Sequence, residues 1–317
     1  MPTLKDKISQ VAKQAYHVGR PNLPDREKVL AKFAQVLDNQ WLTNMGPLSL
    51  ELEERISSML GVKHCICVCN ATTGLGLLQR SLDLQGEVII PAFTFIATAS
   101  SLKWEGMQPV FTDIDPDTLC LDPARIESAI TPRTRAIVPV HVFGNACDVE
   151  AIDALGEAHD LKVIYDGAHA FGVTYRGNSL LSHGDASTLS FHATKLFHSI
   201  EGGAIIFKRK EDLERARKLI NFGITGPECI EELGINAKMN EFQAALGLSV
   251  LDEFEANINI KQKKIFNKFF KKKNEHNIFS LANAHGAILN KTYLYDMIRP
   301  GIAIYGGFEN KRLEKKI

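Results

Sequence analysis

Asp185-Ala-Ser-Thr-Leu-Ser190-Phe-His-Ala-Thr-Lys195-Leu-Phe-His-Ser-Ile200-Glu-Gly-Gly203-Ala-Ile-Ile-Phe207 sets one lysine between two short strand-like runs. Each run is too short for a helix and holds residues that suit a buried strand, so the predicted local structure is strand, small-residue turn, strand. A lysine in such a turn, among hydroxyls and followed by Gly-Gly, is where an amine loses its hydration and becomes a nucleophile toward carbonyl compounds. An exposed loop lysine beside a hairpin fits the same spacing. This stretch alone does not separate the two.

Outward from Lys195 the text keeps alternating. Residues 62–69, 86–91, 107–115, 134–144, 161–169, 185–192 and 202–208 read as buried strands, rich in Val and Ile. Between most of them, residues 48–60, 73–82, 95–106, 122–130 and 148–160 space their apolar residues three to four apart, with Asp122-Pro123 and Asp148 as helix starts. Repeated strand-helix units predict an α/β fold: a mostly parallel sheet flanked by helices, with ligands beyond the carboxyl ends of the strands.

Two further stretches gain meaning in that frame. Val163-Ile-Tyr-Asp166-Gly-Ala-His169 ends an apolar strand on an acid about 30 residues before Lys195. Such a carboxylate is able to keep a ring nitrogen protonated; it is equally suited to cap a helix. Asn70-Ala71-Thr72-Thr73-Gly74 follows a strand and opens a helix, which offers free N–H groups and hydroxyls to a phosphate, although a Thr-rich helix start is often only a cap.

Composition sets the class. The 317 residues are 45% hydrophobic, enough for one large core and a smaller lobe. No apolar run reaches the ~20 residues that span a bilayer, and the first residues lack a signal pattern, so a cytoplasmic protein with six reduced cysteines is expected. Cys65, Cys67 and Cys69 alternate along one strand and are predicted to share a face; without a second cysteine cluster they read as core residues and not as a metal site. The formal charge of zero divides unevenly: residues 256–317 carry a net +9 and the rest a net −9. The tail lysines alternate with Phe and Ile at helical intervals, which reads as a solvated helix face, with neither nucleic acid nor membrane as partner.

The whole order of elements, from strand and phosphate turn through Phe93 and Phe95 to Asp166, Ser190-x4-Lys195 and Glu-Gly-Gly, resembles the DegT-type sugar aminotransferases over about residues 20–255. Trp41-Leu-Thr-Asn-Met-Gly-Pro47, Val88-Ile-Ile-Pro-Ala-Phe-Thr-Phe95, His141-Val-Phe-Gly144 and Met239-Asn-Glu-Phe-Gln-Ala-Ala-Leu-Gly247 add to the resemblance. It implies the large domain of a pyridoxal-phosphate-dependent transferase of fold type I. The enzymes it points to move an amino group from an amino acid, glutamate by family habit, to a nucleotide-linked keto sugar for polysaccharide or deoxysugar biosynthesis. By position, Lys195 matches the lysine that binds pyridoxal 5′-phosphate covalently, Asp166 the partner of its ring nitrogen and Phe95 the aromatic that stacks on the ring. Ala71, Thr72 and Ser190 match phosphate-holding positions, and His169 a place near the phenolic oxygen. Asn236 matches an asparagine that reaches the phosphate of a second subunit, which implies a homodimer. Lys238 stands where the family commonly has Arg and lacks the bidentate fork for a donor carboxylate. His192 and His198 flank the lysine and read as packing or substrate-edge residues. Related sugar dehydratases typically carry His at the position of Lys195, so the lysine argues for transamination.

After about Ala256 the composition changes. Residues 256–317 form a predicted second unit, a divergent basic tail, helical over about Phe254–Lys273 and loosely packed beyond. Within it, residues 280–306, including Arg299, Gly301 and Ile302, resemble a fragment of alanine racemase, whose catalytic lysine and tyrosine have no counterpart here. The expected chain is therefore an aminotransferase core whose small lobe is truncated or replaced. A catalytically impaired or regulatory pyridoxal-phosphate-binding protein is the alternative.

Overall fold

The computed structural model describes residues 21–254. The expectations for the basic tail and its racemase-like stretch lie outside these residues. Helices α1 (Arg26–Asp38) and α2 (Pro47–Leu60) lead into β1 (His64–Val68), α3 (Ala71–Ser81), β2 (Glu87–Pro91), α4 (Ile96–Trp104) and β3 (Gln108–Thr112). Then come the short α5 (Pro123–Ile126), β4 (Thr134–Ile137), α6 (Val149–Ala158), β5 (Lys162–Asp166) and a small hairpin of β6 (Thr174–Tyr175) with β7 (Asn178–Ser179). The order closes with β8 (Ala186–Ser190), β9 (Gly203–Phe207), α7 (Lys210–Leu219), a hairpin of β10 (Ile224–Gly226) with β11 (Cys229–Ile230), and α8 (Glu241–Asp252).

Seven strands form one sheet in the order β1-β9-β8-β5-β4-β2-β3. Only β9 runs against its neighbours, β1 and β8; every other pairing is parallel. The carboxyl ends of β1, β2, β5 and β8 therefore meet at one edge, where a ligand of an open α/β sheet sits. This is the mostly parallel, helix-flanked sheet that the alternating text predicts.

Strand side chains alternate between two cores. On one face Cys65, Cys67, Ile89, Ile137, Val163, Tyr165, Leu189 and Ile206 pack with Leu52 and Ile56 of α2, Ile152 of α6 and Leu248 of α8. On the other, Ile66, Val68, Val88, Ile90, Ala136, Ile164 and Ile205 meet Leu77 and Leu78 of α3, Leu102 of α4 and Leu219 of α7. Each fully buried aliphatic side chain contributes about 1.5–3 kcal/mol, so both layers are needed to hold the sheet edge rigid.

The helix starts follow the sequence: Asp122 accepts from the Ala124 amide and Asp148 from the Ala151 amide. Two expectations change. Residues 122–130 give only four α-helical residues and then a 3-10 turn at Glu127–Ala129. Cys69 does not share a face with Cys65 and Cys67: β1 ends at Val68, and the chain turns into α3 so that Cys69 packs on the opposite core. Burial pushes the Cys65 thiol up to about 12 and Cys67 well above the usual range, which keeps both protonated.

Candidate active site

β1, β2, β5 and β8 end at one edge and the antiparallel β9 begins there, so most of the named residues are placed by a strand terminus or by the turn or helix beside it. Asp166 is the last residue of β5 and is buried. Its Oδ2 accepts from the Thr98 hydroxyl at 2.7 Å and its Oδ1 from the Ala168 amide at 3.1 Å. It caps no helix; the Ala168 contact closes a tight turn instead. Burial pushes the Asp166 carboxyl above its usual range, against the Thr98 hydroxyl, the Ala168 amide and the charge of Lys195, which all favour the carboxylate.

Lys195 lies in the turn between β8 and β9, its backbone amide donating to His192 O at 2.8 Å. Its ammonium has no hydrogen bond or ion pair among the described residues. Burial lowers its pKa to about 8, with Asp166 pulling the other way. The loop lysine of the sequence is thus a desolvated amine within electrostatic reach of a buried carboxylate. His169, three residues past Asp166, feels the same lysine: burial first, then Lys195, pushes its pKa down to about 3. Its Nε2 is buried with no hydrogen-bond partner among the described residues, and its ring lies 6.1 Å from that of Phe143.

At the other end of the site, Asn70 caps α3 by accepting from the Thr73 amide at 2.8 Å. The amides of Ala71 and Thr72 in the first turn have no acceptor among the described residues, as the geometry of a helix start requires. Between Ala71 and Ser190 stands Gly203, which pairs with Val68 on one side and with Ser190 on the other. A Cβ on Gly203 would fall 2.8 Å from both Ala71 N and Leu189 O. Glycine there lets the start of α3 and the end of β8 face one small space. Ser190 Oγ accepts from the His192 amide at 3.4 Å, a weak contact that leaves most of its capacity unused.

Phe95 sits at the start of α4 and is 62% exposed, an unusual state for a large aromatic at a sheet edge. Asn236 is exposed and forms no hydrogen bond to the other named residues of this chain among the described ones; its segment pairs with Asn221, and the next residue, Ala237, accepts from the Cys69 amide at 2.8 Å. Lys238 is engaged elsewhere, its Nζ donating to Asn221 Oδ1 at 2.8 Å and lying over the Phe222 ring. His198 is buried, with Nε2 at 2.5 Å from Asn22 O, whereas His192 is exposed and binds the Thr194 hydroxyl.

Three supporting residues were not legible as such. Thr98 holds Asp166, Gly203 opens the space at Ala71, and Gln243 ties the site's turns together by donating to Glu201 O at 2.8 Å and to Cys69 O at 3.4 Å. Only Gln243 carried a signal, its place inside the Asn240-Glu-Phe-Gln243 start of α8, where it completes a capping box.

The donor set fits pyridoxal 5′-phosphate. It offers a depressed amine, an acid flanked by two hydrogen-bond donors, an unspent buried histidine nitrogen and two free amides at a helix start.

Comparison with known proteins agrees. The chain is 46% identical over 238 residues to a dTDP-4-amino-4,6-dideoxy-D-glucose transaminase of Shigella dysenteriae, covering 75% of this chain and 65% of that protein. This chain therefore spans just under two thirds of that relative's length. A crystal structure of DesI in the presence of its TDP-sugar product superposes with a TM-score of 0.79 at 40% identity, over 86% of this chain and 71% of the other. The PLP-form of a sugar aminotransferase, Spr1654 of Streptococcus pneumoniae, superposes with a TM-score of 0.71 at 30% identity, over 79% and 70%. Residues 24–286 match the DegT/DnrJ/EryC1/StrS aminotransferase family, and the chain belongs to it.

Proposed function

We propose that this protein is a pyridoxal-phosphate-dependent aminotransferase that moves an amino group from an amino acid, such as glutamate, to a nucleotide-linked keto sugar in deoxysugar or polysaccharide biosynthesis. The observation that carries the reading is the half-buried Lys195 amine, unpaired among the described residues and with a pKa of about 8, within electrostatic reach of Asp166 and His169. When bound, the cofactor supplies an electrophilic carbonyl and an electron-withdrawing ring.

The chain's own residues do the rest. Lys195 Nζ would hold the cofactor and, when free, would take up and return a proton, because an amine with a pKa near 8 changes protonation state readily at neutral pH. The Asp166 carboxylate would be the partner of the ring nitrogen and would favour a proton there. The Ala71 and Thr72 amides, backed by the α3 dipole and the Ser190 hydroxyl, bind the phosphate. Phe95 would offer an aromatic surface to the ring, and His169 Nε2 a hydrogen-bond partner to the phenolic oxygen. Asn236 serves the phosphate of a second subunit, and the exposed Phe222, Ile224, Ile230, Leu233 and Ile235 around it form the contact of a homodimer. A nucleotide-sugar substrate also suits a cytoplasmic enzyme; among the described residues no helix is long and apolar enough to cross a membrane.

The test is direct. Purified full chain should show a visible absorption band, and borohydride should fix the cofactor to the Lys195 peptide by mass spectrometry. With dTDP-4-amino-4,6-dideoxy-D-glucose and 2-oxoglutarate, or another amino sugar from a panel of nucleotide-linked ones, it should form glutamate. A colourless protein that takes up no cofactor removes the reading. Cofactor loading without turnover on any panel member would retain the binding site and remove the activity.

A further inference from the structure

We propose that Thr98, relayed by Thr94, is the positioning residue that keeps Asp166 oriented and ionised toward its partner in the site. The inference rests on the reading above, in which Asp166 faces a ring nitrogen. Thr98 is fully buried. Its Oγ1 lies 2.7 Å from Asp166 Oδ2 and 2.7 Å from Thr94 Oγ1. A hydroxyl has one proton to give. With that proton committed to the carboxylate, Thr94 must donate to Thr98, and the two hydroxyls form a relay that ends on Asp166.

The placement is specific. Thr94 and Thr98 are four residues apart across the start of α4, with Phe95 between them, so one turn of backbone sets both the exposed ring and the hydroxyl that grips the acid. With Thr98 on Oδ2 and Ala168 on Oδ1, each carboxylate oxygen keeps a further lone pair for a ligand. No other side chain of the described residues donates to Asp166.

Few charges compete. Among the described residues, Lys195, from the turn after β8, is the one nearby cation that favours the carboxylate. His169 in the following turn and His141 beyond the end of β4 are both held neutral by burial. The β8 residue paired with Asp166 is Thr188, and the α4 side contributes Thr98 from the helix and Thr94 from the turn before it. Loss of the Thr98 donor therefore removes a large share of what opposes desolvation, and Asp166 would take up its proton at higher pH.

Full chain freed of cofactor, titrated with pyridoxamine 5′-phosphate between pH 5.5 and 9, tests this by calorimetry. The ligand phosphate titrates alike in all variants and cancels in the comparison. Thr98→Val should move the acid-side loss of affinity upward by about one pH unit, tenfold in the proton equilibrium. Thr98→Ser should follow the wild type, because it restores the donor. Asp166→Asn should lose that limb altogether. If Thr98→Val overlays the wild type while Asp166→Asn abolishes the limb, the role of Thr98 is wrong and that of Asp166 stands. If Asp166→Asn itself overlays the wild type, the ring-nitrogen reading fails first. If Thr98→Ser shifts as far as Thr98→Val, restoring the donor does not restore the carboxylate, and the positioning role of the Thr98 hydroxyl is wrong. Should Thr98→Val not fold, Thr98→Ala reads the same shift.

Discussion

Gly203 and Ala71 approach so closely that a β-carbon on Gly203 would lie 2.8 Å from the Ala71 amide nitrogen. That nitrogen opens α3, and Gly203 also pairs with Ser190, so one missing side chain joins the two halves of the proposed phosphate site. Gly203→Ala should cost about 1–3 kcal/mol through overpacking against backbone that has little room to move. The same variant should bind pyridoxal phosphate more weakly, because relief requires Ala71 to shift. Denaturant unfolding and a cofactor titration measure the two effects; normal affinity with lowered stability would show that the α3 start does not hold the phosphate.

The pKa of Lys195 gives a second expectation. Burial lowers its amine to about 8 and Asp166 holds it from falling further. Competitive acylation of the cofactor-free protein should therefore modify Lys195 with a midpoint near pH 8, while solvent-exposed lysines react near their ordinary value of about 10.4. In Asp166→Asn the midpoint should move lower, since an attractive charge is gone. A midpoint equal to that of surface lysines would mean that water reaches the amine.

Much of this was readable because strand and helix periods write themselves into the chain. Lys195, Asp166, Ala71 and Ser190 each sit where a strand ends, and the ends of a parallel sheet share an edge; local text thus placed distant residues together. Thr98 and Gly203 were not readable in their roles. Thr98 acts across 68 residues of sequence on Asp166, and nothing in Ala97-Thr98-Ala99 distinguishes a buried hydroxyl with a partner from an ordinary helix residue. Cys69 misled for a related reason: period two holds only while the strand lasts, and β1 ends one residue before it.

Asp166→Asn should lower transamination on the order of 100-fold or more while leaving borohydride-fixed cofactor at Lys195 near stoichiometric. An amide accepts from Thr98 or Ala168 but cannot stabilise a protonated ring nitrogen as a carboxylate does. Asp166→Glu should fall between, its longer side chain losing one of the two donors that fix the oxygens. Unchanged single-turnover rates in Asp166→Asn would reduce Asp166 to a turn-forming residue.

Glu241 is buried at the start of α8, yet it forms no ion pair among the described residues; its Oε2 accepts from the Leu48 amide and its Oε1 from the Ser49 amide, each at 2.9 Å. Those amides belong to the first turn of α2, whose preceding residue, Gly46, offers no side-chain cap. Gly46 itself must be glycine, because a Cβ there would fall 2.5 Å from the Glu241 carboxyl carbon. Glu241 thus caps α2 from 193 residues away and locks α2 to α8, two residues before Gln243 grips Glu201 and Cys69. Glu241→Ala strands two buried donors at about 1–3 kcal/mol each, so a loss of about 2–4 kcal/mol is expected after partial relaxation. Glu241→Gln keeps one acceptor oxygen and should lose about half of that. Chemical denaturation of the two variants checks the ratio: equal losses would mean that the negative charge on the helix start matters more than the count of hydrogen bonds.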